Sequence, residues 1–286
     1  MSVAVITDSA CSLTQEELER LGIGVVTLYV NEDGDSVPET DLDLGDLYGR
    51  LPAMAVLPTT SQPSPADFAD VFAAAVERGE DVAAVLISSK MSSTFRSAET
   101  GASMTRERHP GARIELIDSE SNSMQEGFAV LAAAECARDG GDLARCAAAA
   151  RETIRRTRFL FAPSTLENLY RGGRISGAAR LVGTSLKIAP ILTAADGGTG
   201  VAGVVRTHAK ALARIAALMR SDVDRFGLRR AVVQQVADED GAARFARDLI
   251  EPITGFTVPV VPVPAVVGIH VGPAIGVAYE TVEPMR

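Results

Sequence analysis

The segment AVVGIHVGPAIGVAY, residues 265–279, sets a single histidine, His270, between Gly268 and Gly272 in an otherwise apolar run. Such an imidazole either finds a hydrogen-bond partner in a buried turn or is presented to a ligand, and the residues alone leave both readings open. The other concentrations of chemistry are hydroxyl-rich: TDSACS (7–12), PTTSQPS (58–64), SSKMSST (88–94) and DSESNS (118–123). Hydroxyls at such positions either cap the following helix, a role open to Ser9, Ser64 and Ser119, or gather beside helix amino ends as a site for an anion or polar headgroup. GGTGVAG contains GxGxxG at 198–203, but the β-branched VVR follows where a dinucleotide fingerprint needs a helix, so the glycines read as a hairpin turn. GxSxG, GxxxxGK[ST] and HExxH do not occur, which removes the usual anchors of hydrolase, P-loop and zincin chemistry. His109, His208 and His270 are too few for a histidine-rich metal site, and Cys11, Cys136 and Cys146, without CxxC spacing, fit a reducing compartment, with Cys136 and Cys146 reading as packed thiols. No metal or other cofactor is implied.

The hydroxyl-rich stretches must be positioned by something, and the pattern around them alternates strands with helices. VAVIT (3–7) is a short β-branched run, and TQEELERLG (14–22) carries Thr14 and Glu17 as a capping box with Gly22 as its stop. GVVTLYV (24–30) reads as a second strand, 64–79 as a helix with Ser64 at its cap and Pro65 at its first position, and VAAVLIS (82–88) as a buried strand. A helix over 92–109, a strand over 113–118 and a helix over 123–141 continue the series, which predicts parallel βαβ crossovers and a sheet covered on both faces. The hydroxyl-rich turns would then share the carboxyl edge of that sheet, where ligands bind. After Gly141 the order becomes a helix at 142–157, a strand at 158–163, a helix from Ser164, a hairpin within 186–206, a helix at 207–221, a strand at 229–237, a helix at 239–252 and two final apolar strands. The expected fold class is α/β in two domains: a parallel-sheet domain over 1–140 and a mixed-sheet domain over 141–286.

Composition agrees with an ordinary globular chain: 286 residues, 47% hydrophobic, 23% charged. A net charge of −9 argues against a nucleic-acid partner or a broad anionic-membrane surface. MSVAVITDSA has no basic n-region, and VPVVPVPAVVGI is broken by three prolines and falls short of the ~18 residues of a membrane span, so the expected location is cytoplasmic.

TDSACSL, TTSQPS, SSKMSSTFRSA, DSESNSMQEG, LENLYRGGRIS, LKIAPIL, the RT at 206–207 and GIHVGPAIGVAY occur in this order over nearly the whole chain. In that combination the sequence resembles the DegV family, the fatty-acid-binding subunits of bacterial fatty acid kinase. The resemblance implies a DegV-like fold and a carrier without catalysis of its own. One long-chain fatty acid would lie with its tail in a tunnel of the N-terminal domain and its carboxylate at the domain junction. An ATP-dependent kinase subunit would phosphorylate that carboxylate, and the carrier would deliver the acyl phosphate to phospholipid synthesis through transient contact with a membrane acyltransferase.

The resemblance assigns the headgroup to Thr60 and Ser61 of TTSQPS, Ser92 and Ser93 of KMSST, and His270. Two hydroxyls and an imidazolium would satisfy a carboxylate and cancel its charge. Gly268, Gly272 and Pro273 would let the backbone approach the ligand, while Arg171, Arg174 and Arg206 would meet phosphate or the kinase. At ~0.8 kcal/mol per methylene, a chain of about sixteen carbons contributes on the order of 11 kcal/mol before entropy costs, and residues 64–137 would line its tunnel. Two departures stand out: Ser93 and Ala274 occupy positions where the family commonly has glycine. Two other classes of function use the same residues, a serine hydrolase or acyltransferase built on Ser92 or Ser93 with His270, and a small-anion sensor.

Overall fold

In a computed structural model, which describes residues 2–181 and 188–285, the first half alternates as expected. β1 (Val3–Asp8), α1 (Gln15–Leu21), β2 (Gly24–Val26), β3 (Tyr29–Glu32), β4 (Asp35–Pro38), α2 (Leu44–Arg50) and β5 (Thr59–Ser61) lead into α3 (Pro65–Glu77), β6 (Asp81–Leu86), α4 (Thr94–Arg108), β7 (Ile114–Asp118) and α5 (Ser123–Arg138). Thr14 and Glu17 form the capping box of α1, Gly22 closes it at φ +63°, and Ser64 caps α3 through the amide of Asp67. The second half runs α6 (Leu143–Arg156), β8 (Thr157–Pro163), α7 (Glu167–Arg171), β9 (Ala189–Ala195), β10 (Gly198–Val205), α8 (His208–Phe226), β11 (Arg230–Val236), α9 (Glu239–Phe245), α10 (Glu251–Thr254), β12 (Val260–Pro262), α11 (Ala265–Val271) and β13 (Ala274–Glu280).

Among the described residues these strands make three sheets. A parallel sheet has the order β2-β1-β6-β7, a mixed sheet the order β10-β9-β8-β13-β11-β12, and a small antiparallel sheet the order β4-β3-β5. The predicted hairpin is β9–β10, turning at Asp196 and Gly197; Leu186 and Lys187, which open the LKIAPIL segment, lie outside the described residues.

Three expectations need correction. GVVTLYV is not one strand: Leu28 donates its amide to Ser9 Oγ and accepts from the Glu39 amide, so the chain leaves the parallel sheet between β2 and β3. Thr59–Ser61 is an edge strand of the small sheet rather than a turn on the carboxyl edge of the parallel one. Residues 265–271 form a helix, α11, rather than part of a terminal strand; Pro264 fixes its entry and Gly272, at φ +70°, its exit. α6, which follows residue 140, packs on the first sheet, with Cys146, Ala147, Ala150 and Ile154 in one cluster with Val5, Ala83 and Val85.

α5 joins the two domains. It is buried on several faces: Ala129, Val130, Ala133 and Ala134 pack on the parallel sheet, while Met124, Phe128 and Leu131 pack on the mixed sheet beside Phe159 and Phe161. On the far side of the parallel sheet α3 and α4 touch at Gly101, where an added Cβ would lie 2.7 Å from Phe68 Cβ and 2.8 Å from the Pro65 carbonyl oxygen. Gly101→Ala should therefore cost about 1–3 kcal/mol of stability by overpacking. An unchanged midpoint in urea denaturation would contradict this packing.

Candidate functional site

The carboxyl edge of the parallel sheet does gather hydroxyls, but most are occupied by the protein itself. Ser9 Oγ donates to Glu39, Ser88 Oγ donates to the Gly197 carbonyl at 2.6 Å, Ser89 Oγ to Asp118 at 2.6 Å and Ser119 Oγ to the Ser121 carbonyl at 3.1 Å. Ser92, on the same edge, reaches a cavity that lies between the parallel-sheet and mixed-sheet domains. Its apolar wall comes largely from the C-terminal half: Phe159 and Phe161, with rings 5.2 Å apart, Leu169, Val266, Val267 and Val271. Leu28 and Ile87 complete it. Residues 64–137, expected to line a tunnel, supply only Ile87, Met91, Ser92 and Asn122 to this cavity.

Four polar residues of the cavity are linked through a chain of contacts. Thr60 Oγ1 lies 2.7 Å from His270 Nε2, whichever of the two carries the proton. The other face of the imidazole abuts Gly172, where an added Cβ would stand 2.4 Å from Nδ1. The Gly172 carbonyl accepts from Arg174 Nη1 at 2.6 Å, and Arg174 Nε donates to the Met91 carbonyl at 3.4 Å. The next residue, Ser92, shares a 2.8 Å hydrogen bond with Thr94 Oγ1. Thr60, His270, Arg174 and Ser92 therefore occupy one connected polar stretch of the cavity, which Asn122, Thr193 and Thr199 also line.

The remaining candidates lie outside its lining. Side chains alternate along a strand, so Ser61 faces away from Thr60, accepting from Asn31 Nδ2 at 3.4 Å. Ser93 flanks the start of α4 and accepts from Arg96 Nη2 at 3.1 Å; its φ of −78° suits any residue, so serine needs no strain where the family has glycine. Ala274 starts β13 opposite Pro163 and Val236 in extended backbone, so it too fits without strain. Arg171 is exposed and donates to the Ala55 carbonyl at 3.1 Å, and Arg206 is exposed just before α8. Gly268 and Gly272 answer to protein neighbours rather than to a ligand: an added Cβ would meet Tyr48 Oη at 2.0 Å and Asn168 Oδ1 at 2.7 Å respectively.

The electrostatics differ from the expected imidazolium. Burial, reinforced by the nearby Arg174 charge, pushes His270 down from 6.5 to about 4, so at neutral pH the imidazole is uncharged and Arg174 is the cation of the site. Between those two values the unfolded chain takes up a proton that the native imidazole refuses, so this group's contribution to stability falls as pH drops from 6.5 to about 4. Asp8 and Glu39, raised by burial to about 7, act in the opposite sense, because the native state holds their protons where the unfolded state releases them. Sequence reasoning missed Phe159, Phe161, Thr193 and Thr199 as lining residues; alternation along a half-buried strand looks the same whether the buried face meets a core or a cavity.

Gly172 has φ −76°, so alanine suits its backbone, and the conflict of an added Cβ is with the His270 ring. Gly172→Ala should turn the imidazole off Thr60, read by NMR as loss of the cross-peaks between the His270 ring and the Thr60 side chain. Cross-peaks unchanged in the variant would contradict the contact.

Similarity searches agree with this architecture. The DegV family model, described as an uncharacterised protein family, matches residues 2–282. A DegV domain-containing protein of Clostridium perfringens is 38% identical over 280 residues, covering 98% of this chain and 99% of its own length. Among solved structures, a fatty-acid-binding DegV family protein of Thermus thermophilus superposes with a TM-score of 0.88 at 33% identity, covering 98% of this chain and 100% of its own. A stearic acid-binding protein of Eubacterium ventriosum superposes with a TM-score of 0.88 at 25% identity, covering 98% of each chain. With the family model spanning nearly every residue and relatives matched from end to end, this chain belongs to the DegV family.

Proposed function

We propose that this protein is a fatty acid carrier that holds a long acyl chain in the cavity between its domains. The observation that carries the reading is the joining of one connected polar stretch, Thr60, His270, Arg174 and Ser92, to a wall of phenylalanine, leucine, isoleucine and valine. A fatty acid has this division, one anionic end and a long apolar remainder. Its carboxylate would accept from the Thr60 and Ser92 hydroxyls and from neutral His270, with Arg174 supplying the countercharge. Desolvating the tail supplies most of the affinity, and the polar groups fix its direction. The fatty-acid-binding relatives support the same occupant.

The carrier works with a separate ATP-dependent kinase, as its family resemblance implies. The carboxylate oxygen attacks the γ-phosphorus of ATP, ADP leaves, and the acyl phosphate stays on the carrier for phospholipid synthesis by a membrane acyltransferase. Arg174 at the cavity and Arg171 on the adjoining surface supply positive charge for the phosphoryl group, and exposed Arg206 offers a contact to the kinase. Ser92 bonds to Thr94, and His270 to Thr60, so neither the Ser–His pairing nor the oriented base of a hydrolase is present among these contacts. Work in the cytoplasm fits this reading; among the described residues, no helix is long and apolar enough to cross a membrane.

Native mass spectrometry of the purified protein, followed by denaturing extraction, should release one fatty acid per chain. A protein that arrives empty and also refuses added fatty acids would overturn the reading. Thr60→Val and Arg174→Met should each keep the fold and weaken palmitate binding by roughly 10–100-fold, the loss of a hydrogen bond to a charged group. Unchanged affinity in both would remove these residues from the headgroup site.

A further inference from the structure

α11 carries His270 but has no capping group of its own. Pro264 precedes it, with no side-chain acceptor for the free amides of the first turn. The acceptor is supplied from 227 residues away: Glu39 Oε2 takes the amide of Val266 at 2.9 Å. The other carboxyl oxygen of Glu39 takes Ser9 Oγ, and the same Ser9 oxygen accepts the amide of Leu28 at 2.9 Å. Val266 stands one helical turn before His270, and both side chains line the cavity, as does Leu28. Glu39 is 5% exposed and makes these bonds beside an apolar cluster that includes Leu28, Tyr48, Val263 and Val266. Burial raises its carboxyl to about 7, so the group stands in this place against a desolvation cost.

We infer that Glu39 is a positioning residue, which fixes the amino end of α11 against Ser9 and thereby aims His270 at Thr60. The inference rests on the reading of Thr60 and His270 as headgroup ligands. Two other side chains bond the backbone at this helix, Tyr48 Oη to the Val263 carbonyl at 2.6 Å before it and Asn168 Nδ2 to the Ile269 carbonyl at 3.0 Å near its end. Neither engages an amide of its first turn. Without Glu39 the helix would pivot about Asn168, and the 2.7 Å contact between Thr60 and His270 would open. Protonation of Glu39 leaves the anchor in place, since a neutral carboxyl still accepts the amide through one oxygen and meets Ser9 through the other. Glutamine offers the same pair of contacts, so shape and acceptor matter at this position more than charge.

The test uses the full chain with Glu39→Ala, Glu39→Gln and Ser9→Ala. The chain has three histidines, so the His270 ring can be followed by NMR against His109 and His208. In Glu39→Ala the NMR cross-peaks between the His270 ring and the Thr60 side chain should be lost, and palmitate affinity should fall by about tenfold or more. Glu39→Gln should stay close to the unmodified protein in both. A folded Glu39→Ala protein that keeps those cross-peaks would overturn the inference, because a residue that merely adds stability lowers the melting temperature without moving the ring. If Glu39→Ala does not fold, Ser9→Ala takes its place: it frees one side of the carboxyl and should weaken the cross-peaks in the same way, and unchanged cross-peaks there overturn the inference as well. If the unmodified protein binds no palmitate, the headgroup reading fails, while the cross-peaks still decide whether Glu39 orients the ring.

Discussion

A 2.7 Å contact between Thr60 and His270 joins residues 210 positions apart, and much of the architecture serves to bring those two atoms together. Thr60 lies on an edge strand of the small antiparallel sheet, which begins where the chain leaves the parallel sheet at Leu28. His270 lies on a seven-residue helix too short to hold its shape alone, so its place is set by bonds to other segments. Val263 before it, Val266 in its first turn and Ile269 near its end are held by Tyr48, Glu39 and Asn168. The imidazole is seated between the Thr60 hydroxyl and the bare backbone of Gly172.

The same crowding governs the charge of the site. A buried imidazole beside a guanidinium is poorly solvated as a cation, so His270 is neutral and Arg174 carries the positive charge. Arg174 is tied by two backbone carbonyls, from Met91 in the first domain and from Gly172 in the second, so the charge sits where the domains meet. The long α5 keeps those domains in register, giving alanines and a valine to one sheet and larger side chains to the other.

The fold class was legible in the sequence because periodicity and punctuation are local. Thr14 with Glu17, Ser64 with Pro65, and the turn before Gly198 each announce an element through its neighbours, and the structure has all three. The readings failed where a distant partner overrides local preference. GVVTLYV looks like one strand until Ser9 takes the Leu28 amide, and AVVGIHV looks like part of a strand until Pro264, Glu39 and Gly272 close it into a helix. Glu39 itself sits in EDGDSVPETDLDLGD, a stretch rich in carboxylates, and nothing in that setting distinguishes the one that is buried.

The candidate site was legible only in part. Residue types and the family resemblance pick out Thr60, Ser92, His270 and Arg174, because hydroxyls, an imidazole and a guanidinium in such motifs are recognisable without coordinates. Tertiary structure decided which of the neighbouring candidates face the cavity: Thr60 and not Ser61, Ser92 and not Ser93, Arg174 and not Arg206. It also decided that the apolar wall comes mainly from the C-terminal half, with Phe159 and Phe161 on β8. The physical reason is that chemical type belongs to a residue, whereas direction, burial and charge state belong to its surroundings, and these surroundings come from segments far apart in the chain.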